Sequence, residues 1–148
     1  MEDKEKLMGC CGLYCGDCFI YKGEIADLAR DLRKVLRSER FEKVAEAISK
    51  NHFFKVLEKY EDCYEVLGGL VKFRCKKACV NGGGNPYCQI RICCTKKGLK
   101  GCWECDEIDT CKHHDEFMQS FHKNAMRNNI KKIKKKGLKE FLSGKREW

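Results

Sequence analysis

Apolar residues recur at Ile25, Leu28, Ala29, Leu32, Val35 and Leu36, a spacing of three and four that predicts an amphipathic helix. Ser38 is a candidate N-cap for a second helix carrying Phe41, Val44, Ala45 and Ile48 on one face. Asn51 is a candidate cap for a third, with Phe53, Leu57, Tyr60, Tyr64 and Leu67 at helical spacing and Gly68-Gly69 as its stop. These stripes are expected to form core. From Cys75 to Cys111 the periodicity disappears, and the run Gly82-Gly83-Gly84 with the sole proline marks a loop. A short helix is expected over "YCQIRICCTKKG", ending at Gly98. Phe117, Phe121 and Ala125, continued by Met126, Ile130 and Ile133, predict a helix stopping at Gly137, and Leu138, Phe141 and Leu142 a last short one. The one weak strand signal is Leu70–Phe73. The expected fold class is therefore mostly α with an irregular cysteine-rich region: a small α-helical domain with little or no sheet.

At 148 residues the chain has the length of a single domain, 1–148. It divides by composition into a cysteine loop (8–19), a helical middle (20–70), a cysteine-rich segment (75–111) and basic C-terminal helices (113–148). The net charge of +9 belongs mostly to the tail: His122–Trp148 holds ten Lys or Arg against two Glu, which leaves +1 for everything before it. Bound metal thiolates would reduce the total further.

Thirteen cysteines change the picture most. Their spacings are Cys11-x3-Cys15-x2-Cys18, Cys75-x3-Cys79, Cys88-x4-Cys93, Cys102-x2-Cys105 and Cys105-x5-Cys111. A two-residue separation lets a tight turn aim both sulfurs at one metal. A segment with so few apolar residues closes no core alone, and coordination supplies the missing cohesion, on the order of 10 kcal/mol per structural zinc in peptides. A disulfide framework is disfavoured: no apolar leader is visible in "MEDKEKLMG", and the odd count leaves one thiol unpaired. A cytoplasmic location follows as an expectation, with no membrane span. The C-x3-C-x2-C loop resembles that of radical S-adenosylmethionine enzymes. The chain, however, is short of the barrel those enzymes need and has Asp17 where they carry an aromatic residue.

The stretches "CGLYCGDC", "CQIRICCTKKGLKGCWECDEIDTC" and "NNIKKIKKKGLKEFLSGKREW" together resemble the small cysteine-rich prokaryotic proteins grouped as domain of unknown function DUF3795. The matching positions are Cys11, Cys15, Cys18, Cys75, Cys79, Cys88, Cys93, Cys102, Cys105 and Cys111, which become the candidate metal ligands. Cys10, Cys63 and Cys94 fall outside the pattern. The resemblance implies a cytosolic bacterial or archaeal metal-binding protein and no established activity.

Ten candidates exceed the eight thiols of two four-cysteine sites. A third site completed by His113 or His114 is one outlet for the remainder. Both zinc and iron–sulfur clusters take four cysteines, and no ferredoxin-type run with a trailing proline occurs. Zinc is the expected cofactor, with an iron–sulfur cluster as the alternative. Cys93-Cys94, beside Arg91, Lys96 and Lys97, is the place where a redox-active thiol would sit.

Whether the protein is an enzyme is left open by the sequence, with the balance against it. His-Glu-x-x-His is missing, and "NGGGNP" lacks the Gly-Lys-Ser/Thr ending of a phosphate loop. The tail carries candidate nucleic-acid contacts, Lys131, Lys132, Lys134, Lys135 and Lys136, which would give salt-dependent, sequence-independent binding. Against this, the Met126, Ile130 and Ile133 stripe reads as a helix packed on the domain with its lysines in water. The favoured function is a zinc-stabilised interaction module with a protein partner. An iron–sulfur redox protein is the alternative, and a nucleic-acid binder a lesser one.

Overall fold

The computed structural model describes residues 2–115 and 122–148. The α-helices among them are α1 Glu2–Glu5, α2 Phe19–Lys22, α3 Glu24–Ser38, α4 Phe41–Ile48, α5 Tyr60–Lys72, α6 Gln89–Lys96, α7 Lys123–Lys136 and α8 Leu138–Ser143. Short 3₁₀ turns fill most of the cysteine-rich stretches. The described residues hold no strand, only an isolated antiparallel bridge between Met8 and Tyr14. None of their helices is long and apolar enough to cross a membrane. The chain is thus mostly helical, as its periodicities predict. The expected positions of Phe117 and Phe121 lie outside the described residues.

The chain divides into two compact units: residues 1–21 with 75–148, and residues 22–74. The second spans the segment read as the helical middle. In it α3 packs on α5, where Arg33 lies over the Tyr64 ring at 4.4 Å and Arg37 donates to the Tyr64 hydroxyl. Asp27 accepts from Arg74 and from Arg30, both at 2.7 Å, and the Arg74 guanidinium holds its carboxyl below the usual range.

Three sequence readings are corrected here. Ser38 ends α3 and bonds the Val35 carbonyl; Arg40, in a left-handed conformation, precedes α4 instead. Gly68-Gly69 does not stop α5, which runs on to Lys72 through the suspected strand. A Cβ at Gly68 would sit 3.2 Å from Arg33 Nη1, so this glycine marks a close approach within the helix and not its end. Of the α3 stripe only Ala29 is buried: Leu28 is 71% exposed and Val35 56%, while Ala26, outside the stripe, is buried. A unit of so few helices covers one side of each, and small residues occupy the close side. By contrast Asn51 caps as read, accepting the Phe53 N–H at 3.0 Å, although the turn it opens is 3₁₀ (His52–Lys59) before α5 begins.

The first unit holds the deeper core. Met126 and Ile130 of α7 are fully buried against Ile90, Cys94, Cys102 and Ile108. One turn further, Ile133 joins Met8, Tyr14, Phe141 and Leu142. The apolar stripe of the basic helix is therefore the wall on which the cysteine segments pack. Gly137, at φ 83°, ends α7 as read. The chain end straps back over this wall. Asn129, fully buried, exchanges hydrogen bonds with the Glu147 backbone, and Arg146 pairs with Asp17 at 2.7 Å while lying over the Tyr14 ring.

Candidate metal centre

Cysteine spacing and local backbone cooperate. Cys15 opens a 3₁₀ turn that Cys18 closes, its N–H donating to the Cys15 carbonyl; Cys102 and Cys105 bracket a second such turn, and Cys111 closes a third. With three residues per turn, positions i and i+3 lie one above the other, so each Cys-x2-Cys pair is brought to the same side of its turn. The knuckles are tied together through backbone: the Cys102 N–H donates to the Cys10 carbonyl at 2.8 Å, and the Cys75 N–H to that of Ile20.

The loop Cys79–Asn85 is held by one side chain. The Arg91 guanidinium donates to the carbonyls of Cys79, Gly83 and Asn85, at 2.8, 2.6 and 2.9 Å. Gly83 lies so close beneath the Lys77 carbonyl that a Cβ would fall on that oxygen. Arg91 is thus a structural clamp on this loop. Replacing it with lysine keeps the charge but not the fork that reaches three acceptors. Arg91→Lys is expected to cost roughly 2 kcal/mol in reversible denaturation and to raise the alkylation rate of Cys79.

Twelve thiols lie in the first unit, and Cys63 lies alone in the second, exposed. They form two neighbourhoods. In the first, the Cys79 thiol donates to the Cys15 sulfur, Cys11 faces Cys79 and Cys88, and Cys18 faces Cys75 and Cys79. In the second, Cys93, Cys94, Cys102, Cys105 and Cys111 line one cavity, with Cys94 and Cys102 sulfurs 3.7 Å apart. Cys10 bridges toward it through a bond with Cys94. Cys10 and Cys94, outside the sequence pattern, are therefore part of the same chemistry, a point their irregular spacing concealed. Among the described residues, no three Cys, His, Asp or Glu side chains converge as ligands of a single ion would.

Backbone N–H groups aim at sulfur in the first neighbourhood. The Leu13 N–H reaches Cys11, those of Ile20 and Tyr21 reach Cys18, and that of Cys79 reaches Cys15 at 3.4 Å. Such bonds favour thiolate. Burial works the other way and pushes the Cys11 thiol up to about 12. Cys15 is lowered by the bond it accepts from Cys79, and Cys79 is raised by donating it. Cys94 accepts from Cys10, yet its bond with Cys102 and burial carry it up to about 12. Any metal here displaces protons, so uptake strengthens with rising pH.

His113 lines the cavity, whereas His114 is fully buried with neither ring nitrogen hydrogen-bonded. Burial, reinforced by the Arg127 charge, lowers His114 to about 4 from its usual 6.5. The unfolded chain therefore binds the proton more tightly. The neutral ring's contribution is complete above pH 6.5 and is lost as pH falls toward 4, in total about 3 kcal/mol. Thiol protonation adds its own acid sensitivity, so the expected result is a difference: between pH 7 and pH 5, denaturation midpoints fall further for the natural chain than for His114→Leu. Parallel curves would reject it.

Of the tail lysines, Lys132 pairs with Glu147 at 2.7 Å, Lys136 with Glu140 at 3.3 Å, and Lys134 donates to the Cys105 carbonyl at 2.8 Å. Of the five candidates, only Lys131 and Lys135 have no side-chain hydrogen bond or ion pair among the described residues. Three of the five lysines are thus engaged within the chain: Lys132 with the chain end, Lys134 with a cysteine knuckle and Lys136 with α8.

A helical chain whose cysteines open, close and cap turns packed on one apolar helix is a small cysteine-rich helical protein. Residues 7–116 match the family described as "Protein of unknown function (DUF3795)", and the chain belongs to that family. The match takes in the helical middle and ends before the basic tail. Neither the curated proteins nor the solved structures returned a match.

Proposed function

We propose that this protein is a thiolate metal-binding module, in which metal joins the N-terminal loop to the Cys75–Cys111 segment and fixes the surface presented to a partner. The observation that carries this reading is the set of backbone N–H groups directed at the sulfurs of Cys11, Cys15 and Cys18. Donors placed on sulfur are of little use to neutral thiols and stabilise thiolates bound to a cation. Zinc suits the first neighbourhood, its four ligands drawn from Cys11, Cys15, Cys18, Cys75, Cys79 and Cys88, because it needs no redox change and closes with four thiolates. Such a site is structural and the protein non-catalytic.

The test is elemental analysis of protein purified without oxygen, together with thiol counting. The reading expects bound transition metal at one or more per chain and thiols protected from alkylation. Metal-free protein with freely reacting thiols, or with intramolecular disulfides, would remove it.

A further inference from the structure

A zinc ion bound at about 2.3 Å draws its four sulfurs to roughly 3.8 Å of one another and leaves no void among them. The second neighbourhood instead surrounds a cavity of about 390 Å³, partly open to solvent. That volume is on the order of ten waters. Its cysteines stand on the walls: Cys93 on α6, Cys102 and Cys105 at the two ends of one 3₁₀ turn, and Cys111 closing the next.

We propose that this cavity holds a four-iron, four-sulfide cluster ligated by Cys93, Cys102, Cys105 and Cys111. The inference rests on the reading of the thiols as metal ligands and goes beyond it by naming the group and its four ligands. A cubane spreads its ligands over four separate irons, so four cysteines lining one cavity suit it, whereas among the described residues no three of them converge on a single ion. Ile90, Leu99 and Ile108 supply an apolar wall that keeps water from the sulfides. Positive charge stands at the rim. Lys97 Nζ lies 4.0 Å from the Cys105 sulfur and 2.5 Å from Glu107, and Lys112 lines the same opening. With four thiolates the oxidised cluster carries two negative charges, which Lys112 offsets in part, Lys97 being paired with Glu107. Cys94 also lines the cavity and is left out because its sulfur has two thiol partners, Cys10 and Cys102.

Assembly balances without an external oxidant when equal ferrous and ferric iron are supplied with sulfide. Two of each iron and four sulfides give the doubly positive core, and four thiols release four protons on ligation. The probe is therefore this mixture, added anaerobically to the reduced, metal-free full chain and followed by desalting. The expected result is about four iron and four sulfide per chain with a brown charge-transfer absorbance. Cys105→Ser and Cys111→Ser should lower retained iron at least tenfold, while Cys63→Ser, outside both thiol neighbourhoods, keeps it. A second readout needs no variant. Iron loading should slow alkylation of Cys93, Cys102, Cys105 and Cys111 in the natural chain, with Cys63 reacting as before.

A colourless chain that takes two zinc ions and no iron would overturn the cluster while leaving the metal-binding reading intact. Protection moving to Cys11, Cys15 and Cys18 would also overturn it. A chain binding neither metal would remove both.

Discussion

Stripping metal from the full chain under reducing conditions is expected to raise amide exchange across Cys79–Lys112 by several orders of magnitude, with restoration when zinc or iron and sulfide are returned. The reasoning is energetic. The segment is built of 3₁₀ turns and the single short helix α6, and it gives Ile90, Cys94, Cys102 and Ile108 to the core. Structural zinc contributes about 10 kcal/mol or more in peptide systems, as much as the entire stability of an ordinary domain. Turns this short have few backbone hydrogen bonds to fall back on when the thiolates are released. Helices α3 and α5, whose unit carries only Cys63, serve as the internal reference and should change far less. Hydrogen exchange read by mass spectrometry separates the two regions in one sample. Unchanged exchange across Cys79–Lys112 after verified metal removal would show that the fold does not depend on metal.

The second large effect is steric. Gly12 stands between Cys11 and Cys15 at φ 89°, and a Cβ there would meet Ile130 Cγ1 at 2.8 Å and the Met126 carbonyl oxygen at 3.0 Å. The left-handed backbone costs an L-residue about 1–2 kcal/mol, and forcing a methyl into a filled core adds about 1–3. Ile130 is fully buried and Met126 offers backbone, so neither yields cheaply. Gly12→Ala is therefore expected to lose roughly 3–4 kcal/mol and to lower metal content with it, because the loop carrying Cys11 and Cys15 lifts from α7. Gly98, at φ 67° with open space around its Cβ position, isolates the backbone part: Gly98→Ala should lose only about 1 kcal/mol. Equal losses at the two positions would show that contact with α7 does not position the loop. Denaturant midpoints and bound-metal analysis on the same samples measure both.

Much of this protein was fixed by short-range chemistry. The stops at Gly98 and Gly137, the Asn51 cap, the helices over α6, α7 and α8, and the pairing of sulfurs in each Cys-x2-Cys turn follow from local spacing and backbone preference. The family, too, is carried by motifs readable along the chain. What the sequence could not decide were matters of which surface meets which. Gly68-Gly69 reads as a stop until Arg33 of another helix occupies the space beside it. The apolar stripe of α3 reads as core, but burial is a property of the partner helix as well, and α5 covers the alanine side. Lys132, Lys134 and Lys136 read as a free basic face until the folded chain brings Glu147, the Cys105 carbonyl and Glu140 to them. The same holds for the thiols. Spacing nominates ligands in pairs, because a turn spans only three or four residues. Only the packing of the knuckles on α7 sorts them into two neighbourhoods, drawing in Cys10 and Cys94, leaving Cys63 apart and opening a cavity at one of the two.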